Sequence, residues 1–230
     1  MKSDKIFQIF LFFFLFVSSF LTGCMQSYAI KSYSDYEKKL DSNPMLGLLY
    51  LDKITINRGY LSIKQADKGF PSIKINGEIA YKKSITLSGV FTIGLKDTMV
   101  FDLNYDFIEN KGIFKNIFEN KLYNISPQHL NLSNNMMDYV ENSICYLFLF
   151  LKGEEMQVIR DNFYAGDIIF NVRDGFITES HLENTIFPIV VKYGSFKKWG
   201  NIYYPSTIKC TFKNYNIDVL IVEAEFQLSF

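Results

Sequence analysis

The sequence predicts a mainly β domain, about nine to eleven antiparallel strands wrapped around one or two α-helices. Two observations carry that expectation. From Pro44 onward apolar and polar residues alternate in run after run, with turn-forming residues between the runs. One stretch, 133–151, instead spaces its apolar residues by three and four, and its second half is apolar on every side. The chain of 230 residues is long enough for one or two domains. Aromatics make up 17% of it, which supplies a core and argues against disorder.

The first element is a leader. Lys2 and Lys5 precede the run Ile6 to Phe20, whose only polar members are Gln8, Ser18 and Ser19. A permanent span takes about 20 apolar residues, so this shorter run with a positive flank and a small-residue exit predicts a cleaved secretory signal over residues 1–23. The exit, Leu21-Thr22-Gly23-Cys24, resembles the bacterial lipoprotein signal. That resemblance implies that Cys24 becomes the lipidated first residue and that its acyl chains moor the protein to a membrane. More than one acyl chain is needed for stable anchoring, and a lipoprotein cysteine carries two or three. Met25 stands where an Asp would resemble the inner-membrane retention signal, so in an envelope with two membranes the expectation is the periplasmic face of the outer one.

Residues 24–45 read as the lipidated tether leading into a short helix that ends near Asn43-Pro44. Residues 46–230 read as a single domain. Ile73, Ile75, Gly77, Ile79 and Tyr81 form one alternating flank; Ile85, Leu87, Gly89, Phe91 and Ile93 form the next; Met99, Phe101, Leu103, Tyr105 and Phe107 form a third, with Val100 on the wet side. Lys82-Lys83, Lys96-Asp97, Glu109 to Gly112 and Glu119 to Lys121 fall between the runs and tolerate positive φ. Consecutive alternating runs joined by such turns predict an antiparallel meander.

Ser133-Asn134-Asn135 then caps a predicted helix carrying Met136, Met137, Val140, Ile144, Leu147, Phe148 and Leu151, and Gly153 stands where a helix stop belongs. Strands resume through Ile168 to Val172, the turn Arg173-Asp174-Gly175, then Phe176, Thr178 and Ser180. Runs at 186–193, 202–212 and 217–230 complete the set, with Pro188 and Pro205 placed at strand starts or edges.

Charge and composition exclude several functions. The chain has 24 Lys+Arg against 24 Asp+Glu, so no nucleic-acid partner is expected. His129 and His181 have no Cys, Ser elbow or paired carboxylate at a useful spacing, so no catalytic residue and no enzyme activity are expected. No zinc spacing and no phosphate loop occur, so neither metal nor cofactor is expected. Glu154-Glu155 and Asp102/Asp106 read as solvated charge. Once Cys24 is committed to lipid, Cys145 and Cys210 are open either to pairing or to separate burial as small hydrophobes.

The order of elements carries a second resemblance. The Lys74-Ile75-Asn76-Gly77-Glu78-Ile79 strand, the apolar helix closed by Leu151-Lys152-Gly153-Glu154 and the Tyr204-Pro205-Ser206-Thr207-Ile208 entry are similar to the LolA/LolB-like lipoprotein-localisation fold, over roughly residues 45–226. It implies a curved half-barrel enclosing a hydrophobic cavity that accepts acyl chains of lipoproteins or lipids, and it brings a periplasmic carrier protein into view as a partner. An acyl chain needs only apolar walls, and ten buried methylenes give about 8 kcal/mol gross. The candidate lining is Phe91, Ile93, Phe101, Leu103, Tyr105, Val140, Ile144, Leu147, Phe148 and Leu151. The family's receptor displays an apolar residue on a protruding loop, for which Met45 to Leu49 and Phe70-Pro71 are the candidates here. The competing reading is a structural or assembly lipoprotein of the cell envelope that uses the same sheet as a protein-binding scaffold.

Overall fold

The computed structural model describes residues 40, 43–65, 68–69, 71–93, 96–117, 119–126, 144–152, 157–159, 162–165, 168–182 and 189–229. The leader, Cys24, the tether before Leu40, Phe70, His129, the predicted helix up to residue 143, Glu154-Glu155 and Pro188 lie outside them.

A 3₁₀ turn, Pro44–Leu49, opens the domain, with Pro44 at a position that has no backbone bond to lose. The first seven strands are β1 (Leu51–Gln65), β2 (Lys68–Gly69), β3 (Ile73–Ala80), β4 (Ser84–Ile93), β5 (Lys96–Asp106), β6 (Lys111–Asn116) and β7 (Lys121–Ile125). The second seven are β8 (Gln157–Ile159), β9 (Asn162–Ala165), β10 (Ile168–Arg173), β11 (Phe176–Leu182), β12 (Ile189–Trp199), β13 (Ile202–Phe212) and β14 (Tyr215–Leu228). Three of these are no longer than four residues, which leaves eleven of five residues or more.

All belong to one antiparallel sheet in the order β7-β6-β5-β4-β3-β1-β14-β13-β12-β11-β10-β9-β8, with β2 hairpinned onto β1. The chain thus unrolls outward from β1 to β7, crosses to the far edge, and rolls back inward to β14. β1 and β14 seal the two halves along nearly their whole length, from Leu51↔Leu228 to Gln65↔Tyr215. The curved sheet stays open. Its path ends at β7 and β8.

Turn chemistry matches the sequence at most positions, but Lys96-Asp97, expected between two runs, instead opens β5 and pairs with Ile93 and Thr92. Lys82, Asn110, Asn120, Asp174 and Lys213 all take positive φ, and Asp174-Gly175, at 52° and 78°, is the two-residue turn between the paired Arg173 and Phe176. Elsewhere bulges overrule simple alternation. The β4–β5 register slips between Gly89/Phe101 and Val90/Met99, so Val100 is an extra residue. Met99, predicted to be apolar-side, is therefore exposed, and Val100, predicted to be wet, is buried. Likewise β1 slips near Ile56 to Gly59, which hides its alternation from a period-two reading.

The connection between β7 and β8 joins opposite edges of the sheet. Its described part, 144–152, lies against the face where the core gathers: Cys145, Leu149, Phe150 and Leu151 are all buried among Ile54, Ile79, Ile177, Tyr204 and Ile221. The concave face is closed here by its own crossover chain. Burying each of these large side chains stabilises the fold by about 1.5–3 kcal/mol.

Candidate functional site

The crossover segment keeps helical form only over residues 144–147 among those described. Its end is a six-residue stop: the Phe150 N–H donates to the Cys145 carbonyl at 2.9 Å and the Leu149 N–H to the Tyr146 carbonyl at 2.9 Å. Leu149 holds φ at 57°, the left-handed region usually left to glycine. The helix therefore ends before Gly153, against the sequence expectation. A left-handed leucine costs roughly 1–2 kcal/mol, which its complete burial offsets.

Tyrosines from the sheet cap the carbonyls that this stop leaves over. Tyr193 donates its hydroxyl to the Leu147 carbonyl at 3.2 Å, and Tyr204 donates to the Phe148 carbonyl at 2.9 Å. Ser180 lies 3.0 Å from the Tyr193 hydroxyl and completes the buried chain of bonds. Burial pushes both phenols up. Beyond the stop, the Leu151 N–H donates to Leu48 at 3.1 Å, and Tyr81 donates to the Lys152 carbonyl at 2.9 Å. The Lys152 ammonium lies 3.0 Å from Asp52 and also reaches the Ser229 hydroxyl. None of these bonds was read from the sequence, because a hydroxyl aimed at a distant carbonyl leaves no periodic mark.

The candidate lining divides by height in the half-barrel. Leu151 and Tyr105 belong to the closed core at the end filled by residues 144–152, and Ile144, Leu147 and Phe148 pack half-buried against it. Leu103 also packs half-buried against that core, and toward the other end Phe91 and Phe101 are half-buried on the same concave face. Ile93 closes β4, and Val140 lies outside the described residues. Gly89 makes room for Phe101, since a Cβ there would stand 2.2 Å from the ring. Phe101, Phe114 and Tyr123 continue outward as an aromatic row with centroids 6.1 Å apart at each step.

Further residues of this upper face were not in the candidate lining. Leu61 faces Ile73 on one side and Val219 on the other, and Ile63 faces Ile217. All five are half-buried. Their alternation was legible in β14 and masked in β1 by its bulge. The upper concave face thus presents aliphatic and aromatic walls from β14 through β1, β3 and β4 to β5, above a floor packed by the crossover segment.

Other expectations resolve plainly. Cys145 and Cys210 form no disulfide with each other, the first being buried and the second half-buried, and burial pushes the Cys210 thiol up. Met45 to Leu49 is not a displayed apolar loop: Leu46, Gly47 and Leu48 are buried. His181 lies half-buried, 3.3 Å from Glu179 and 3.4 Å from Asn171. Asp102 accepts from Ser88 on the outer face. Among the described residues no three of His, Cys, Asp and Glu gather as a metal site, and no helix is long and apolar enough to cross a membrane.

One open, curved antiparallel sheet holds a helical turn against its hollow side. Solved structures run a similar course. A LolA superfamily protein from Nitrosomonas europaea superposes with a TM-score of 0.46 at 7% identity, over 86% of this chain and 94% of that one. A proposed outer membrane lipoprotein-sorting domain from Vibrio parahaemolyticus gives 0.45 at 8% identity, over 78% and 86%. A DUF1329 family protein from Desulfovibrio piger gives 0.46 at 10% identity, over 85% and 92%. No protein-family model matches the sequence, and no curated protein matches it.

Proposed function

We propose that the protein is a lipid-anchored bacterial envelope lipoprotein that holds acyl chains, of lipoproteins or of lipids, against its upper concave face. It acts as a binding protein in lipoprotein localisation or lipid transport, not as an enzyme. The observation that carries this is the division of the hollow face. Residues 144–152, with Leu103 and Val219, pack its lower part, while Leu61, Ile73, Phe91 and Phe101 leave an apolar surface above them only half-covered. A hydrocarbon chain asks for nothing but such a surface, and each methylene it buries is worth about 0.8 kcal/mol. Ile144, Leu147 and Phe148 would form the floor on which the chain ends rest, with Tyr105 and Leu151 as packing beneath.

In this reading Cys24 carries the mooring lipids on the periplasmic face of the outer membrane, and a periplasmic carrier protein is the natural donor or acceptor of cargo. The test is photocrosslinking in cells. A photoreactive phenylalanine at Phe101 or Phe91 captures acylated protein or lipid, and one at Asn104, on the opposite face of β5, does not. Capture of a single stoichiometric protein without acyl chains from all three positions would favour the envelope scaffold instead.

A further inference from the structure

The turns of the sheet alternate between its two ends. Leu40, the first described residue, is buried among Leu46, Leu49, Tyr50, Tyr203 and Leu228, so the segment leading back to Cys24 joins the domain at the end packed by residues 144–152. Four turns share that end: 81–83 between β3 and β4, 107–110 between β5 and β6, 174–175 between β10 and β11, and 200–201 between β12 and β13. The registers place them together. Leu51↔Leu228, Lys53↔Ala80, Ala80↔Ser84, Ser84↔Asp106 and Asp106↔Lys111 follow one another across the first half. On the other side Phe176 meets Tyr203 with ring centroids 5.9 Å apart, and Gly175 lies beside Pro44. The half-covered apolar face opens toward the opposite end, where the turn 213–214 joins β13 to β14.

The four tips beside the entry of the tether are basic, aromatic and at one point apolar. Lys82, Lys83, Lys111, Arg173, Lys197 and Lys198 are all exposed. Acids offset part of this charge: Asp52 pairs with Lys83 and Lys152, Glu109 with Lys111, and Asp174 with Arg173, while Asp106 accepts from the Glu109 N–H. Lys82, Lys197 and Lys198 instead lie over the rings of Tyr81, Trp199 and Tyr203, at 5.5, 3.6 and 5.6 Å from the centroids. A lysine stem laid on an aromatic ring suits the boundary between water and lipid, where the ring sits among headgroups and the ammonium reaches phosphate. Ile108, on the β5–β6 turn, is 75% exposed, the most of any described large hydrophobic residue.

These cations stand on separate turns and do not converge on one point, which fits an extended anionic surface and not a compact anion. We propose that this end docks on an anionic lipid bilayer, with Ile108 entering the interface, so that the apolar mouth is turned away from the membrane and toward the periplasm. The proposal rests on the mooring by Cys24 for the choice of surface and on the hairpin tips for the end that meets it. Residues 24 to 40 reach at most about 55 Å when extended, which keeps the tips within range of the bilayer.

The test is photocrosslinking with the full lipidated protein reconstituted into vesicles of phosphatidylethanolamine and phosphatidylglycerol, a photoreactive residue replacing Ile108 or Asn214. Capture of phospholipid from position 108, and at least tenfold less from position 214, is expected. A lysine near an anionic surface contributes about fivefold in affinity. Lys82→Glu combined with Lys197→Glu should therefore cut capture from position 108 by about tenfold, as should vesicles of phosphatidylcholine alone, and Lys213→Glu should not. Equal capture from the two positions, or capture from position 108 that neither the lysine reversals nor the neutral lipid lowers, overturns the proposal. Flotation of the protein with the vesicles reads the mooring separately, and acyl capture at Phe91 reads the concave face.

Discussion

Tyr193 and Tyr204 are buried phenols whose hydroxyls serve as caps on Leu147 and Phe148, and burial lifts both above the ordinary tyrosine value of 10.0. Below that pH both residues keep their protons whether folded or not, and stability is unaffected. Above it the unfolded chain releases protons that the folded chain retains, so stability falls as pH rises, by about 1.4 kcal/mol per pH unit for each residue. Urea unfolding at pH 8 and pH 11 should show this fall. Tyr204→Phe should make it shallower, and should itself cost about 1–3 kcal/mol at pH 8 because the Phe148 carbonyl is left buried without its donor. At this scale the sequence was readable where geometry is local. Asp174-Gly175 announced its turn, whereas Met99 and Val100 exchanged faces because an inserted residue changes the parity of everything before it.

The crossover segment is the element on which the hollow face depends. Its apolar run was legible as a buried helix, since Ile144 to Leu151 offers no polar side chain to put in water. Its end was not, because the stop falls on a leucine, and only tertiary burial makes a left-handed leucine tolerable. Phe150, completely buried and stacked on Tyr81 with centroids 5.9 Å apart, is its principal anchor. Phe150→Ala should therefore destabilise the protein by about 3–5 kcal/mol, read as a shift in the denaturant midpoint with the slope unchanged. The 3₁₀ turn behaves in the same way. Met45 to Leu49 suggested a displayed loop as readily as a packed one, and the Leu48 carbonyl's bond to Leu151 is a long-range event that no local pattern reports.

Over the whole molecule, the meander was visible because its hairpins join neighbours in sequence, and each leaves its own alternation and turn. What could not be read was the seam. β1 and β14 lie at opposite ends of the domain, β1 is bulged, and their pairing is what turns two meanders into one sheet with a single hollow side. The acyl-binding account rests on that side being apolar above residues 144–152, and on the chain's being moored by Cys24. Cys24→Ser should move the protein from the membrane fraction to the soluble one, checked by fractionation. Native mass spectrometry of that released protein is the most direct test of the central claim. A mass excess corresponding to bound lipid or acyl chain is expected, which Phe91→Asp abolishes while the protein stays folded. A bare mass for the parent protein, or a lipid adduct indifferent to Phe91→Asp, would contradict it.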